Sequence, residues 1–143
     1  MVIDDISPPG AWARDLARRA NPEPSERELQ RMVIQLLDVQ GYLVAHVPNG
    51  IPLGANALTR AKIINAMKKD GLRPGFPDLI VFSRTGGVGV IELKRAGRRG
   101  QKDEGLSAEQ VCWKEELTRR GINWARLDRV EDLDGILSGW GWK

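Results

Sequence analysis

Two short apolar runs face each other across a glycine turn: Pro77-Asp78-Leu79-Ile80-Val81-Phe82 and Val90-Ile91-Glu92-Leu93-Lys94, joined through Thr85-Gly86-Gly87. Runs of this length bounded by turn residues predict two adjacent buried strands. Charge interrupts them at three points: Asp78 opens the first, and Glu92 and Lys94 close the second. Side chains two apart on a strand share a face, so Glu92 and Lys94 project together while Leu93 points away. Folding the turn back brings the Asp78 end beside the Glu92–Lys94 end. Two carboxylates and an amine then converge where burial penalises charge unless pairing or a metal compensates.

Other periodicities arrange the chain around this hairpin. Trp12 and Leu16 mark a short helix over 11–19, ended by Asn21-Pro22-Glu23-Pro24, and residues 1–24 read as an N-terminal arm before a domain over 25–143. Ser25 is an N-cap, and Ser25-x-x-Glu28 matches a capping box opening a helix that ends near residue 40 before Gly41. Leu29, Met32, Val33, Leu36 and Leu37 form its apolar stripe. At about 100° per residue, Glu26 falls within that stripe and Glu28 on the opposite side. A first-turn glutamate is commonly a dipole-favoured rim residue; here the carboxylates of the sheet give Glu26 somewhere to point.

A strand over 42–47 and a Pro48-Asn49-Gly50 turn follow, then a helix over 57–70 with Ala61, Ile64 and Met67 facing inward. Ser107-x-x-Gln110 is a second capping-box match, opening a helix to about Arg120 that carries Gln110, Trp113 and Leu117 on one face. Gln110 therefore has two readings, a cap partner or an amide aimed at the site. A strand over 123–127 and a short helix over 129–137 complete the order, with Trp140 and Trp142 covering the core edge. Strands and helices in this sequence predict an α/β sandwich around a mixed central sheet.

Composition narrows the chemistry. At 143 residues with 41% hydrophobic and 29% charged side chains, one soluble domain is expected, and no apolar run reaches the length of a membrane span. The early aspartates and Pro8-Pro9 do not make a signal peptide. Cys112 and His46 are the only residues of their types, which excludes a zinc finger, disfavours a Cys–His catalytic pair and suits a reducing, cytoplasmic compartment. The net charge of +3 is modest but uneven: Lys94, Arg95, Arg98, Arg99 and Lys102 crowd one loop, and Arg60, Lys62, Lys68, Lys69 and Arg73 another region. A lone basic loop is usually just a solvated one; two flanking a carboxylate site favour a phosphate backbone as partner.

Carboxylates and a lysine without histidine suit hard, oxygen-seeking cations. Mg²⁺ or Mn²⁺ would take Asp78, Glu92 and the backbone carbonyl of Leu93 as ligands, with Lys94 positioning the attacking water or offsetting charge in the transition state. Phosphodiester hydrolysis is the natural reaction class.

The arrangement Pro77-Asp78…Glu92-Leu93-Lys94 resembles the PD-(D/E)XK nuclease superfamily. Ser25-Glu26…Gln30, Val47-Pro48-Asn49-Gly50, Gly75-Phe76-Pro77-Asp78-Leu79, Ile91-Glu92-Leu93-Lys94 and Leu106-Ser107-x-x-Gln110-x-x-Trp113, followed by Gly121, are similar in content and order to the VRR-NUC nucleases. The resemblance implies a restriction-endonuclease-like α/β/α core, metal carboxylates at Glu26, Asp78 and Glu92, a catalytic lysine at Lys94 and the motif glutamine at Gln110. It further implies a small, often phage-encoded homodimer that resolves branched DNA such as Holliday junctions, located in the host cytoplasm if phage-encoded. Nucleic-acid contacts are expected from Asn49, Lys62, Lys69, Arg73, Arg95, Arg98, Arg99 and Lys102. The Arg/Gly-rich insert at 95–105 and the N-terminal arm depart from the family pattern. A catalytically silent nucleic-acid-binding module is the rival reading, although it has little use for carboxylates facing phosphate. A purely structural Glu92–Lys94 ion pair ranks last, because it leaves Asp78, Glu26 and Gln110 unrelated.

Overall fold

A computed structural model describes residues 10, 22–48 and 56–143. The helix expected over 11–19, the turn residues Asn49 and Gly50 and the loop through Gly54 lie outside the described residues.

The first helix, α1 (Glu26–Val39), is capped by Ser25, whose hydroxyl accepts the Glu28 N–H at 3.2 Å. Only this half of the expected capping box forms among the described residues. Leu29, Val33 and Leu37 are buried, whereas Met32 and Leu36 remain 38% and 41% exposed, so the buried stripe is narrower than the pattern predicted. Gly41, at φ +86°, turns the chain into β1 (Leu43–His46). Helix α2 (Ala57–Lys69) is capped by Asn56, which accepts from the Thr59 N–H at 2.8 Å. No residue of α2 is buried: Ala61 is exposed and Ile64 and Met67 are half-buried, contrary to the inward face expected for them. The helix stands at the surface rather than in the core.

The predicted hairpin forms as β2 (Leu79–Phe82) and β3 (Val88–Leu93). The second strand begins earlier than Val90 and stops one residue before Lys94. Helix α3 (Ala108–Arg119) has the full capping box of Ser107 and Gln110, and β4 (Asn123–Leu127) follows. A 3-10 turn (Val130–Asp132) leads into α4 (Leu133–Gly139).

The sheet has the order β1-β2-β3-β4, antiparallel at the first two pairings and parallel between β3 and β4. Alternation along the strands sorts their side chains. Leu79, Val81, Ile91, Leu93 and Leu127 pack with Leu29, Val33 and Leu37 of α1 and Leu133 and Leu137 of α4 into one core. Glu92 and its register partner Arg126 face the opposite way, towards α3. Trp140 and Trp142 close the core edge, Trp142 stacking on Tyr42 with ring centroids 5.8 Å apart. Among the described residues, no helix is long and apolar enough to cross a membrane.

Candidate active site

Asp78 sits immediately before β2, where the strand edge fixes its backbone: its carbonyl accepts the Val47 N–H at 2.8 Å and lies 3.0 Å from His46 Nδ1. Its carboxylate reaches across to β3 and accepts the Leu93 N–H at 2.8 Å. Glu92, one residue earlier on β3, is only 2% exposed. The hairpin therefore brings the two carboxylates together, as the sequence pattern anticipated. Burial, followed by repulsion from Asp78, pushes the Glu92 carboxyl up to about 8, against the opposing pull of Lys94. Burial also raises Asp78; the Leu93 N–H opposes the shift and Glu26 reinforces it. For both groups burial penalises the charged form more than the nearby donors favour it.

Glu26 arrives from the first turn of α1. It is exposed, and its Oε1 accepts the N–H of Arg95 at 3.1 Å, just past the end of β3. The helix register thus points Glu26 at the site, while Glu28 contributes its backbone to the cap.

Gln110 performs both roles open to it. Its Oε1 accepts the Ser107 N–H at 2.8 Å, completing the cap, and the Lys94 ammonium at 2.8 Å; its Nε2 donates to Glu92 Oε1 at 2.6 Å. Lys94 also lies 3.5 Å from Glu92 Oε1. The first turn of α3 is held against the hairpin by the loop before Asp78. Trp113 Nε1 donates to the Pro74 carbonyl at 3.0 Å, and its ring meets Phe76 edge-on at 5.0 Å. Gly75, at φ +82°, lies so close that a Cβ there would come within 2.6 Å of Glu109 Cβ. Only glycine combines that conformation with that approach.

The basic residues divide into distinct groups. Lys62, Lys69, Arg95, Arg98 and Lys102 are exposed and in no ion pair among the described residues. Arg73 is exposed but turns its guanidinium to the carbonyls of Lys68 and Leu72, both at 3.2 Å. Arg99 is engaged by carboxylates, with Nη2 2.6 Å from Asp128 Oδ1 and a further contact to Asp132. Asn49 lies outside the described residues. Sequence reasoning passed over Asp128 and Arg126, both buried beside the site. The available signal was Arg126-x-Asp128 ending a strand, the same two-residue spacing as Glu92-x-Lys94.

The VRR-NUC domain model matches residues 24–129, most of the chain and every element that carries these groups. The chain belongs to the VRR-NUC family. Membership brings with it a nuclease-type function and the PD-(D/E)XK superfamily. Among solved structures, one titled "VRR_NUC domain protein" is 19% identical, with a TM-score of 0.59 over 82% of this chain and 88% of that one. Another, titled "VRR_NUC domain", is 18% identical, with a TM-score of 0.53 over 80% of this chain and 96% of that one. At such identities these likenesses establish the fold. No curated protein matches the chain. In this VRR-NUC chain the motif residues gather at the end of β3 by the contacts described, and the insert at 95–105 leaves from the same point.

The donor chemistry fits a hard divalent cation. Asp78, Glu92 and Glu26 offer only oxygen, and burial raises the first two above the ordinary carboxylate range, a shift that a bound cation would oppose. Among the described residues, no group of three or more His, Cys, Asp and Glu side chains is placed closely enough to hold a metal ion, so the fit rests on donor type alone.

Proposed function

We propose that this protein is a Mg²⁺- or Mn²⁺-dependent DNA endonuclease that cuts branched DNA as a homodimer. The observation that carries the reading is the convergence of Asp78, Glu92 and Glu26 on the end of β3 beside a lysine held by Gln110. Glu26, Asp78, Glu92 and the Leu93 carbonyl would hold the cation, which when bound polarises the scissile phosphate and lowers the pKa of a water.

The chain's own groups do the rest. Lys94, with donors beyond the one given to Gln110, orients the attacking water and offsets charge developing on the phosphate. Gln110 holds Lys94 and Glu92 in one arrangement, because its amide is itself fixed by the Ser107 cap. Water adds to phosphorus and gives up one proton to solvent, the phosphorus–oxygen bond to the leaving group breaks, and the leaving oxygen takes a proton back from solvent. Exposed Lys62 and Lys69 of α2 and Arg95, Arg98 and Lys102 of the insert grip the backbone on either side. A branched substrate offers two strands to cut, which suits a small domain that pairs with its own copy.

The experiment is incubation of labelled four-way junction, flap, single strand and duplex with Mg²⁺, Mn²⁺ or EDTA, alongside Lys94→Ala. Metal-dependent cutting, strongest on the junction and lost by a factor of about 10³ or more in the variant, is expected. Tight binding without cutting in any metal would overturn the enzyme reading in favour of a silent DNA-binding module. Cutting by a strictly monomeric protein in sedimentation would overturn the dimer.

A further inference from the structure

The insert at 95–105 begins beside the site and ends at the cap of α3, and its Arg/Gly-rich sequence suggests a loose basic loop. The contacts around it do not. Asp128, whose side chain is only 1% exposed, accepts from Arg99 Nε at 2.8 and 3.0 Å, from Arg99 Nη2 at 2.6 Å and from Arg126 Nη1 at 2.9 Å. Arg126, 6% exposed, turns its Nε to the carbonyl of Glu104 at 2.8 Å, at the far end of the insert. Asp132 takes the outer side of the Arg99 guanidinium. Between these ties, Asp103 and Glu104 adopt φ of 51° and 55°, a left-handed conformation that non-glycine residues hold only when their surroundings impose it. Among the described residues, Arg126 Nη2 is buried without a hydrogen-bond partner, so the insert and Asp128 satisfy this arginine only in part.

Resting on the DNA-cutting reading above, we infer that Asp128 is a positioning residue: through Arg99 and Arg126 it clasps the insert against the sheet, so that Arg95, Arg98 and Lys102 are presented to the phosphate backbone beside Lys94. Arg99 is then the tie rather than a phosphate contact. Its charge is answered by Asp128 and Asp132, and the Arg99 hydrogen bonds in turn hold the Asp128 carboxyl down to about 2. Arg95, Arg98 and Lys102 are exposed and in no ion pair among the described residues.

The two roles for Arg99 predict opposite signs at Asp128. If Arg99 contacted phosphate directly, removing the neighbouring carboxylate would free it and lower repulsion of the polyanion, so DNA would bind more tightly. If Asp128 clasps, removing it releases the insert and DNA binds more weakly although a negative charge has been lost.

The test uses full-length protein with Asp128→Asn, Arg99→Gln, the pair combined, and Asp132→Asn. Binding to a fluorescent four-way junction is measured in EDTA over a range of salt, with single-turnover cutting at saturating protein, trypsin digestion and thermal melting. The expected result is binding weakened by about fivefold or more in Asp128→Asn and Arg99→Gln alike, with no further loss in the double variant and a salt slope reduced by about 2. The saturating cutting rate of Asp128→Asn stays within about twofold of wild type, and trypsin cuts sooner after Arg98 and Lys102 in each of these variants. Tighter binding in Asp128→Asn, additive losses in the pair, or unchanged trypsin sensitivity would overturn the proposal. Should Asp128→Asn fail to fold, Asp132→Asn, on the exposed side of the guanidinium, decides the sign: weaker binding supports the clasp and tighter binding overturns it. Because binding and digestion are read without metal, loss of the nuclease reading would leave them intact. A wild-type protein that binds no DNA would sink both together.

Discussion

Glu92→Gln tests whether the site stores electrostatic strain for a cation. The Glu92 carboxyl lies beneath α3, pushed from its ordinary 4.5 up to about 8 first by burial and then by Asp78. A carboxyl that holds its proton more tightly in the folded chain stabilises the fold fully below about pH 4.5, and that stabilisation is lost as pH rises through about 8. At about 1.36 kcal/mol per pH unit, the interval corresponds to at most roughly 5 kcal/mol above pH 8. Part of this is shared with Asp78, and the variant forgoes the Lys94 pair at 3.5 Å. The expected gain for Glu92→Gln in EDTA at pH 8 is therefore about 1–3 kcal/mol, or roughly 3–10 °C in Tm. The amide oxygen can still accept from Gln110 Nε2, so the local packing survives. The assay is denaturant unfolding at pH 5, 6.5 and 8 in EDTA and again with Mg²⁺. Wild-type stability should fall across that range in EDTA and recover with Mg²⁺; the variant should be flatter in pH, indifferent to metal and inactive. A variant less stable than wild type at pH 8 in EDTA, or equal pH slopes for the two, would refute the reasoning.

The remaining expectations concern the groups that build the site. Glu26→Gln should reduce metal-dependent cutting by about tenfold or more, while Glu28→Gln leaves it within about twofold; steady-state kinetics across Mg²⁺ concentrations would expose the reverse pattern. Gln110→Glu keeps an oxygen that accepts from Ser107 and Lys94 but sets a second carboxylate against buried Glu92 where Nε2 had donated, so both melting temperature and cutting should fall, cutting by about tenfold or more. Gln110→Ala loses the cap as well and should unfold about 1 kcal/mol earlier in denaturant titration. Gly75→Ala, at φ +82° against Glu109, should destabilise by about 1–3 kcal/mol and lower activity, because the loop that carries Asp78 must shift away from α3.

What the sequence determined by itself is what short-range physics encodes. Two apolar runs and the glycine turn between them placed the hairpin, and the strand period of two set Glu92 and Lys94 on one face. Ser107 and Gln110 marked a helix start through bonds that span three residues, whereas Glu26, which the 100° step set within the apolar stripe, stays exposed beside the Arg95 N–H. The tertiary structure alone decided the partners. Arg99 meets Asp128 from 29 positions away, and nothing in a basic, glycine-broken loop says whether its arginines face phosphate or a carboxylate. Parallel pairing of β3 and β4 sets Glu92 beside Arg126, a register that depends on the crossover helix rather than on either strand. Helix α2 shows the same limit from the other side, since its apolar residues suggest a core face, yet none of them is fully buried and Ile64 and Met67 are only half-buried. Gln110 joins the two levels. Its cap was legible because that bond is local, while its grip on Lys94 and Glu92 exists only because Gly75 lets the loop and α3 close on one another.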